Sequence, residues 1–446
     1  MFDSELDSTP PTVNLLPLPS LQATDILSFN LGSARPLVYV DKTYYLTNLA
    51  KAGGSFLFTR PQHFGKSLTA SSLAALLRYG PTAFPHTWLS NNAQAWPVPP
   101  QPVLYLDLSE VYLTTKHNLL RPQQELAELC SQTLKQAVLK SQISISLPES
   151  DDWEYVLEQV LAQLSEMHAS IIIDSYDAPL THSLGPQAER LFPVAYGFMQ
   201  HFFATFKKYA SGFFFVFFTG LSHHYASFFA GLPYFHDLTL APLGATLAGF
   251  TEAEMRTYFA PHLEHAAKVL TEKHLTLYSV DQLLEELRQN YQGYNFVPHL
   301  GNPSTAPAQV SPTSGTSGQF DTKVYNPASV LPFLNNPHKG YSHYWINSGG
   351  SLPHLLQDLI FKVPKQEFID FVQQAQAKHT FTISMSDLNQ SHSAIDTMLA
   401  NLPALFYQVG YLSIQESDGK NLVLGIPNSE VEQALANILW LRKFQP

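Results

Sequence analysis

The stretch at 56–77 limits the fold of this chain more than any other part of it. It opens with the apolar run Phe56-Leu57-Phe58, passes through Arg60-Pro61-Gln62-His63-Phe64-Gly65-Lys66-Ser67, and continues as Leu68-Thr69-Ala70-Ser71-Ser72-Leu73-Ala74-Ala75-Leu76-Leu77. That order is strand, tight loop, helix, with Gly65-Lys66-Ser67 at the turn. A phosphate-binding loop needs the same order. Backbone N–H groups of the loop and of the helix N-terminus point at an anion, Lys66 reaches the β- and γ-phosphates, and the Ser67 hydroxyl holds Mg²⁺. The pattern G-x-x-x-x-G-K-[ST] is incomplete, because Arg60 stands in place of its first glycine. Taken alone, Gly-Lys-Ser is a weak signal, and a basic turn capping an ordinary helix has the same appearance. The rest of the chain has to decide between them.

A chain of 446 residues is too long for one core, so two or three domains are expected. The formal charge of −11, from 25 basic and 36 acidic residues, disfavours nucleic acid as a partner, since non-specific binding to it depends on a basic surface. A single cysteine, Cys130, excludes an intramolecular disulfide and a cysteine-cluster metal site. A reducing compartment is the simplest fit, and the expectation is a cytoplasmic protein. Residues 1–7 are acidic and show no basic segment followed by an apolar one, so no secretory signal is read. The most hydrophobic run, 213–218, is far too short to span a bilayer and suits a buried central strand, so no membrane association is expected.

Further apolar runs at 103–107, 171–174, 213–219 and 236–240 are separated by segments of helical character, among them 44–52, 122–139 and 152–167. Such alternation predicts right-handed crossovers and a parallel sheet covered on both faces. Ligands of such sheets sit beyond the carboxyl ends of the strands. Thr59-Arg60, Asp107, Asp174 and Thr219 end these runs, and are expected to line one crevice with Lys66. The predicted class is α/β: a P-loop NTPase-type parallel sheet flanked by helices, followed by a helical lid and a mixed α/β C-terminal region. The expected divisions are a tail at 1–30, the sheet domain at 31–245, the lid at 246–300, a linker at 301–320 rich in Pro, Ser, Thr and Gly, and the C-terminal region at 321–446. Amphipathic helices are expected at 366–378 and 393–399. A hairpin is expected from 411–414 and 422–424 around Asp418-Gly419.

Ile171-Ile172-Ile173-Asp174 has the form of a second nucleotide motif, whose carboxylate orders Mg²⁺ beside the loop serine. Standing alone, it is equally a buried strand ending in a solvated Asp. The next residue is Ser175, and a serine hydroxyl is a poor general base for the attacking water. Asp177 and Asp107 are the carboxylates placed to substitute, and Thr219 closes the aromatic strand where a polar side chain senses the γ-phosphate. His223-His224 invites a metal reading, which is rejected because neighbouring side chains point apart and no third ligand is suggested. Arg190 and Arg256 read as surface ion-pair partners rather than arginine fingers. Arg60, inside the loop, is expected to contact phosphate or to hold Asp174 or Asp177.

Taken together, these stretches resemble the AAA-ATPase-like family of P-loop proteins, mostly prokaryotic and often fused to a C-terminal restriction-endonuclease-like nuclease. The resemblance is carried by Val40-Asp41-Lys42-Thr43, Thr59-Arg60-Pro61 through Leu68, Ile173-Asp174-Ser175-Tyr176-Asp177-Ala178-Pro179 and Thr219-Gly220-Leu221-Ser222. Further on it is carried by Asp237-Leu238-Thr239-Leu240, Gly249-Phe250-Thr251-Glu252, Tyr325-Asn326-Pro327, Tyr344-Trp345 and Gln408-Val409-Gly410-Tyr411-Leu412. It implies ATP and Mg²⁺ as cofactors, with the loop 60–68 holding the nucleotide and Ser67 and Asp174 the metal. It also implies that an arginine in the position of Arg60 is usual. Relatives carry Glu in place of Ser175 and basic residues in place of His63 and His223. No Asp…Glu-x-Lys nuclease site follows 425–431, so no nuclease activity is expected. The resulting expectation is an Mg-dependent ATPase or nucleotide switch of slow turnover. The alternative is a non-hydrolysing nucleotide binder that serves as a scaffold for a protein partner or a second copy.

Overall fold

Runs rich in β-branched and aromatic residues, buried on both faces in the inner strands, form five parallel strands at the centre of the molecule. They are β1 (Gly54–Thr59), β2 (Val103–Asp107), β3 (Ser170–Asp174), β4 (Phe215–Gly220) and β5 (Phe235–Asp237), in the order β2-β3-β4-β1-β5. This computed structural model describes residues 15–114, 120–184, 187–223, 225–298, 322–348, 359–389 and 399–444. The expected linker at 301–320 and most of the expected helix at 393–399 lie outside those residues. The register pairs Thr59 with Gly220 and Asp107 with Asp174, so the strands end at a common edge. Because β4 lies between β1 and β3, the ends of the last two are about 10 Å apart, two strand spacings.

Helix α1 (Thr43–Ala52) stops at Gly53, and the close approach of Gly54 to the Tyr234 carbonyl, 2.6 Å from where a Cβ would sit, admits only glycine there. Helix α2 (Lys66–Tyr79) follows β1 directly. Three long helices, Pro122–Ser141, Trp153–Glu166 and Ala188–Tyr209, complete the cover. The last of these escapes sequence reading because Pro193 lies inside it, yet Leu191, Phe192, Ala195, Phe198, Met199, Phe202, Phe203 and Phe206 are buried at helical spacing. The aromatic run at 213–219 enters the sheet only at Phe215, and 236–240 contributes only a short edge strand.

Four helices, Glu252–Tyr258, Ala260–His274, Val280–Tyr291 and Pro327–Asn335, share a second core built on Met255, Leu263, Leu284, Leu331 and Phe333. Val38 and Val40, just before α1, are part of it, so the N-terminal segment packs with these four helices. The C-terminal region holds an antiparallel sheet of β6 (Phe381–Ser384), β7 (Ser413–Ser417) and β8 (Asn421–Gly425), in the order β6-β8-β7. The hairpin is the expected one and β6 is an addition to it. Helices Lys365–Gln376, Leu402–Gln408 and Ser429–Phe444 surround this sheet, and its core is continuous with that of the central sheet. Among the described residues no helix is long and apolar enough to cross a membrane.

Candidate functional site

The loop between β1 and α2 is bent by two residues in the left-handed region, His63 (φ 64°) and Gly65 (φ 99°). Gly65 is the N-cap of α2 and brings no capping side chain, so the first N–H groups of a 14-residue helix have no side-chain cap. Phe64 anchors the loop: its ring is buried edge-on against Tyr294, with centroids 4.8 Å apart. Lys66 is half-buried, and its Nζ donates to the Pro61 carbonyl at 2.9 Å, across the mouth of the loop. Burial pulls the Lys66 ammonium down to about 8, against the opposing pull of the Asp174 and Asp177 carboxylates. Ser67 lies half-exposed on the first turn of α2. On the outer side, Gln62 offers its carbonyl to the Trp345 indole (3.2 Å), and His63 Nδ1 pairs with the Ser348 hydroxyl (2.9 Å).

Asp174 ends β3 at 2% exposure. One carboxylate oxygen accepts from the Thr219 hydroxyl and the other from the Tyr105 hydroxyl at 2.8 Å. Each oxygen keeps a second lone-pair direction. Thr219 therefore orients Asp174 rather than standing free. Ser175 follows in the left-handed region (φ 55°), its N–H directed at the Thr219 hydroxyl. Asp177 departs from the expected water-positioning role. Its oxygens take the N–H groups of Leu221 and Ser222, the latter at 2.6 Å, and so fasten the chain leaving β4. Burial pushes its carboxyl up to about 6, with those two N–H bonds opposing. Asp107, at the sheet edge, has a carboxyl raised by burial and by Asp174 next to it.

Arg60 is the largest correction to the sequence reading. Its side chain is 1% exposed and turns away from the loop, into the core. Nη1 donates to the carbonyls of Thr59 (2.7 Å) and Thr239 (2.9 Å), and Nη2 to that of Gly244 (2.6 Å). The guanidinium lies between the rings of Phe58 and Phe296, 4.6 and 4.2 Å from their centroids. Its hydrogen-bonding edge is spent on backbone oxygen, so it holds neither Asp174 nor Asp177. Arg256 is an ordinary surface cation, paired with Glu252 and Asp281. His223 is likewise no metal ligand: Nδ1 meets the Leu388 carbonyl and Nε2 the Asp237 carboxylate, while His224 lies outside the described residues.

Sequence reasoning missed Tyr105, although it stands two positions before Asp107 and so on the same face of β2. It also missed the cavity that opens beside the loop. A cavity of about 170 Å³ is lined by His63–Thr69, by residues of the N-terminal segments at 19–24 and 38–42, and by Leu247, Phe250, Phe259 and Leu331. Its lining is mostly apolar, with Lys42, His63, Lys66, Ser67 and Thr69 among its polar groups.

A parallel α/β sheet with a glycine–lysine loop after β1 and a strand-end carboxylate two strands away defines a P-loop-type protein. Residues 25–227 match the model of the AAA-ATPase-like family, described as predicted AAA-ATPases. The family supports a nucleotide-binding theme. Over 411 residues the chain is 24% identical to a protein of Azotobacter chroococcum mcd 1 described as an uncharacterized protein in the vnfD 5' region. The match covers 91% of this chain and 66% of that protein, so the chain spans about two thirds of the relative's length. No solved structure matches.

Proposed function

We propose that the chain binds ATP with Mg²⁺ at this loop and acts as a nucleotide switch that hydrolyses slowly. The observation that carries the reading is Lys66. It is a half-buried ammonium with a depressed pKa, held among the described residues by a loop carbonyl at the uncapped start of α2, with two carboxylates near enough to act on it. A triphosphate offers that cation the acceptors it lacks. Ser67 and Asp174 supply oxygen donors, which suit a hard cation, and the donors bound to Asp174 leave lone pairs on both of its oxygens. Bound there, the metal would neutralise phosphate charge. Tyr105 and Thr219 fix the carboxylate, and Asp177 holds the strand end in place. Cys130 is buried and its thiol is pushed up to about 12, an inert group compatible with the cytoplasm.

Slow turnover follows from what surrounds the attacking water. Ser175 is no base, and Thr219 and Asp177 are occupied, which leaves Asp107 as the carboxylate facing solvent at the edge. The same occupancy favours the second reading, a binder without turnover. Phosphate release decides between them. Wild type is expected slightly above the spontaneous rate, with Ser175→Glu raising it about 100-fold or more, in the range a positioned base contributes. Wild-type protein that binds no ATP in a calorimeter overturns the proposal.

Affinity is also expected to depend on pH. In the free protein, burial and Lys66 lower the His63 imidazole, while burial lowers Lys66 itself. A phosphate tail favours the protonated form of both, so binding takes up protons and weakens as pH rises. The first loss begins below the usual histidine value and the second near 8, each continuing upward to the pKa of the bound form. His63→Gln should abolish only the first, and titrations in buffers of different ionisation enthalpy measure the uptake.

A further inference from the structure

The phosphate loop is held from two sides. The sheet fixes its ends, and the C-terminal region holds its outer face through Trp345, whose indole N–H donates to the Gln62 carbonyl. A peptide unit is planar and trans, so the Gln62 carbonyl and the His63 N–H point in opposite directions. Anchoring that carbonyl outward on Trp345 therefore aims the His63 N–H inward, toward the cavity that His63 lines. Ser348, one turn further on, tethers the His63 ring from the same side. Gly410 closes the contact: a Cβ there would lie 2.9 Å from Pro61 and 3.3 Å from the Trp345 ring.

Trp345 is itself held by a group with no other evident purpose. Glu430 is 1% exposed and pairs with no Lys or Arg among the described residues. One of its oxygens accepts the Trp345 backbone N–H (2.8 Å) and the other the Ser329 hydroxyl (2.6 Å). An uncompensated buried carboxylate is costly to keep, and its two bonds fix the turn that carries the indole and tie it to the lid. A second contact lies at the end of β4, where Gln408 Oε1 accepts from the Ser222 hydroxyl and the His223 N–H. Between the two contacts is a small cavity lined by Arg60 and Tyr407, whose Nε and hydroxyl have no partner among the described residues. Beside the continuous core, this polar stretch of the seam, with its unfilled donors, gives way more readily than close-packed side chains do.

We propose that Trp345 is a positioning residue for the phosphate loop and that, through it, nucleotide at the loop and seating of the C-terminal region are coupled. The coupling rests on the nucleotide reading above, and the positioning does not. Coupling of this kind is reciprocal: whatever loosens the seating weakens the nucleotide by the same factor, and nucleotide tightens the seating.

The test uses the full chain with Trp345→Phe, which keeps a ring and removes the donor, and with Ser348→Ala, half-exposed at its site and removing the second tether. Without nucleotide, amide exchange at Thr69 and Gly249, which donate to the loop carbonyls of Gly65 and Phe64, is expected to quicken several-fold. Exchange along β3 should not change. With ATP and Mg²⁺, Trp345→Phe should bind about 5- to 10-fold more weakly, as one lost hydrogen bond implies, and Ser348→Ala should follow by a smaller factor. In wild type, ATP should slow exchange across 402–411. Unchanged loop exchange in both variants overturns the positioning, as does a rise that extends equally into β3. Loop exchange that responds while 402–411 ignores ATP overturns the coupling. If wild type binds no ATP, the nucleotide reading falls along with the coupling, and the exchange measured without nucleotide still decides the positioning.

Discussion

Lys66→Ala is expected to weaken ATP binding by about 100-fold while leaving the nucleotide-free protein as stable as wild type, or more so. A charge-assisted hydrogen bond to phosphate is worth about 1.5–3 kcal/mol, and each 1.4 kcal/mol is tenfold in affinity. The stability half follows from the sign of the shift. Burial lowers the folded-state ammonium to about 8, below the ordinary lysine value near 10.5, so at neutral pH the folded chain carries a charge that the unfolded chain carries more easily. That cost is full below about 8 and fades as pH rises toward the unfolded value. The advantage of the alanine variant should therefore be largest near pH 7 and shrink by pH 10. Calorimetric titration and thermal melts at the two pH values measure both effects. A variant that binds ATP as well as wild type removes the loop from the function.

Arg60→Ala should act on the opposite side of the ledger between fold and function, costing about 4 kcal/mol or more of stability. It leaves three buried carbonyls, those of Thr59, Thr239 and Gly244, without their donors, at about 1–3 kcal/mol each where water cannot reach them. It also opens a void between the Phe58 and Phe296 rings. Arg60→Lys should recover part of the loss, since an ammonium can reach some of those oxygens but cannot fill a planar slot between two rings. In this milder variant ATP affinity should stay within about 3-fold of wild type, because a change of under 1 kcal/mol is all that an indirect effect on the loop would give. Denaturant midpoints give the first quantity and titration the second. A small stability loss with a large affinity loss would mean that the guanidinium serves the phosphate after all.

The contrast between these two residues, six positions apart, shows what was legible in the sequence. The strand, loop and helix from Gly54 to Tyr79 could be read because their signals are local: an apolar run, a glycine at a left-handed turn, and a helix whose first turn needs no capping side chain. Ile171 to Asp174 was legible for the same reason. The roles of Asp177 and Thr219 were not, since their partners, Leu221 and Ser222 for the first and Asp174 for the second, are 44 or 45 positions away in the chain. The helix Ala188–Tyr209 was hidden by Pro193, whose local penalty is outweighed by a buried aromatic face. Trp345 was visible within a family stretch but carried no chemistry until folding placed it over Gln62.

By itself the sequence determined a parallel α/β sheet with a phosphate-type loop after one strand and a carboxylate at the end of another, because periodicity and turn chemistry are properties of consecutive residues. Only the tertiary structure decided where the polar side chains spend their hydrogen bonds. Arg60 turned to carbonyls about 180 positions away, and the loop acquired a support from the far end of the chain. A donor's direction is set by which acceptors surround it, and those acceptors are brought near by packing rather than by order along the chain.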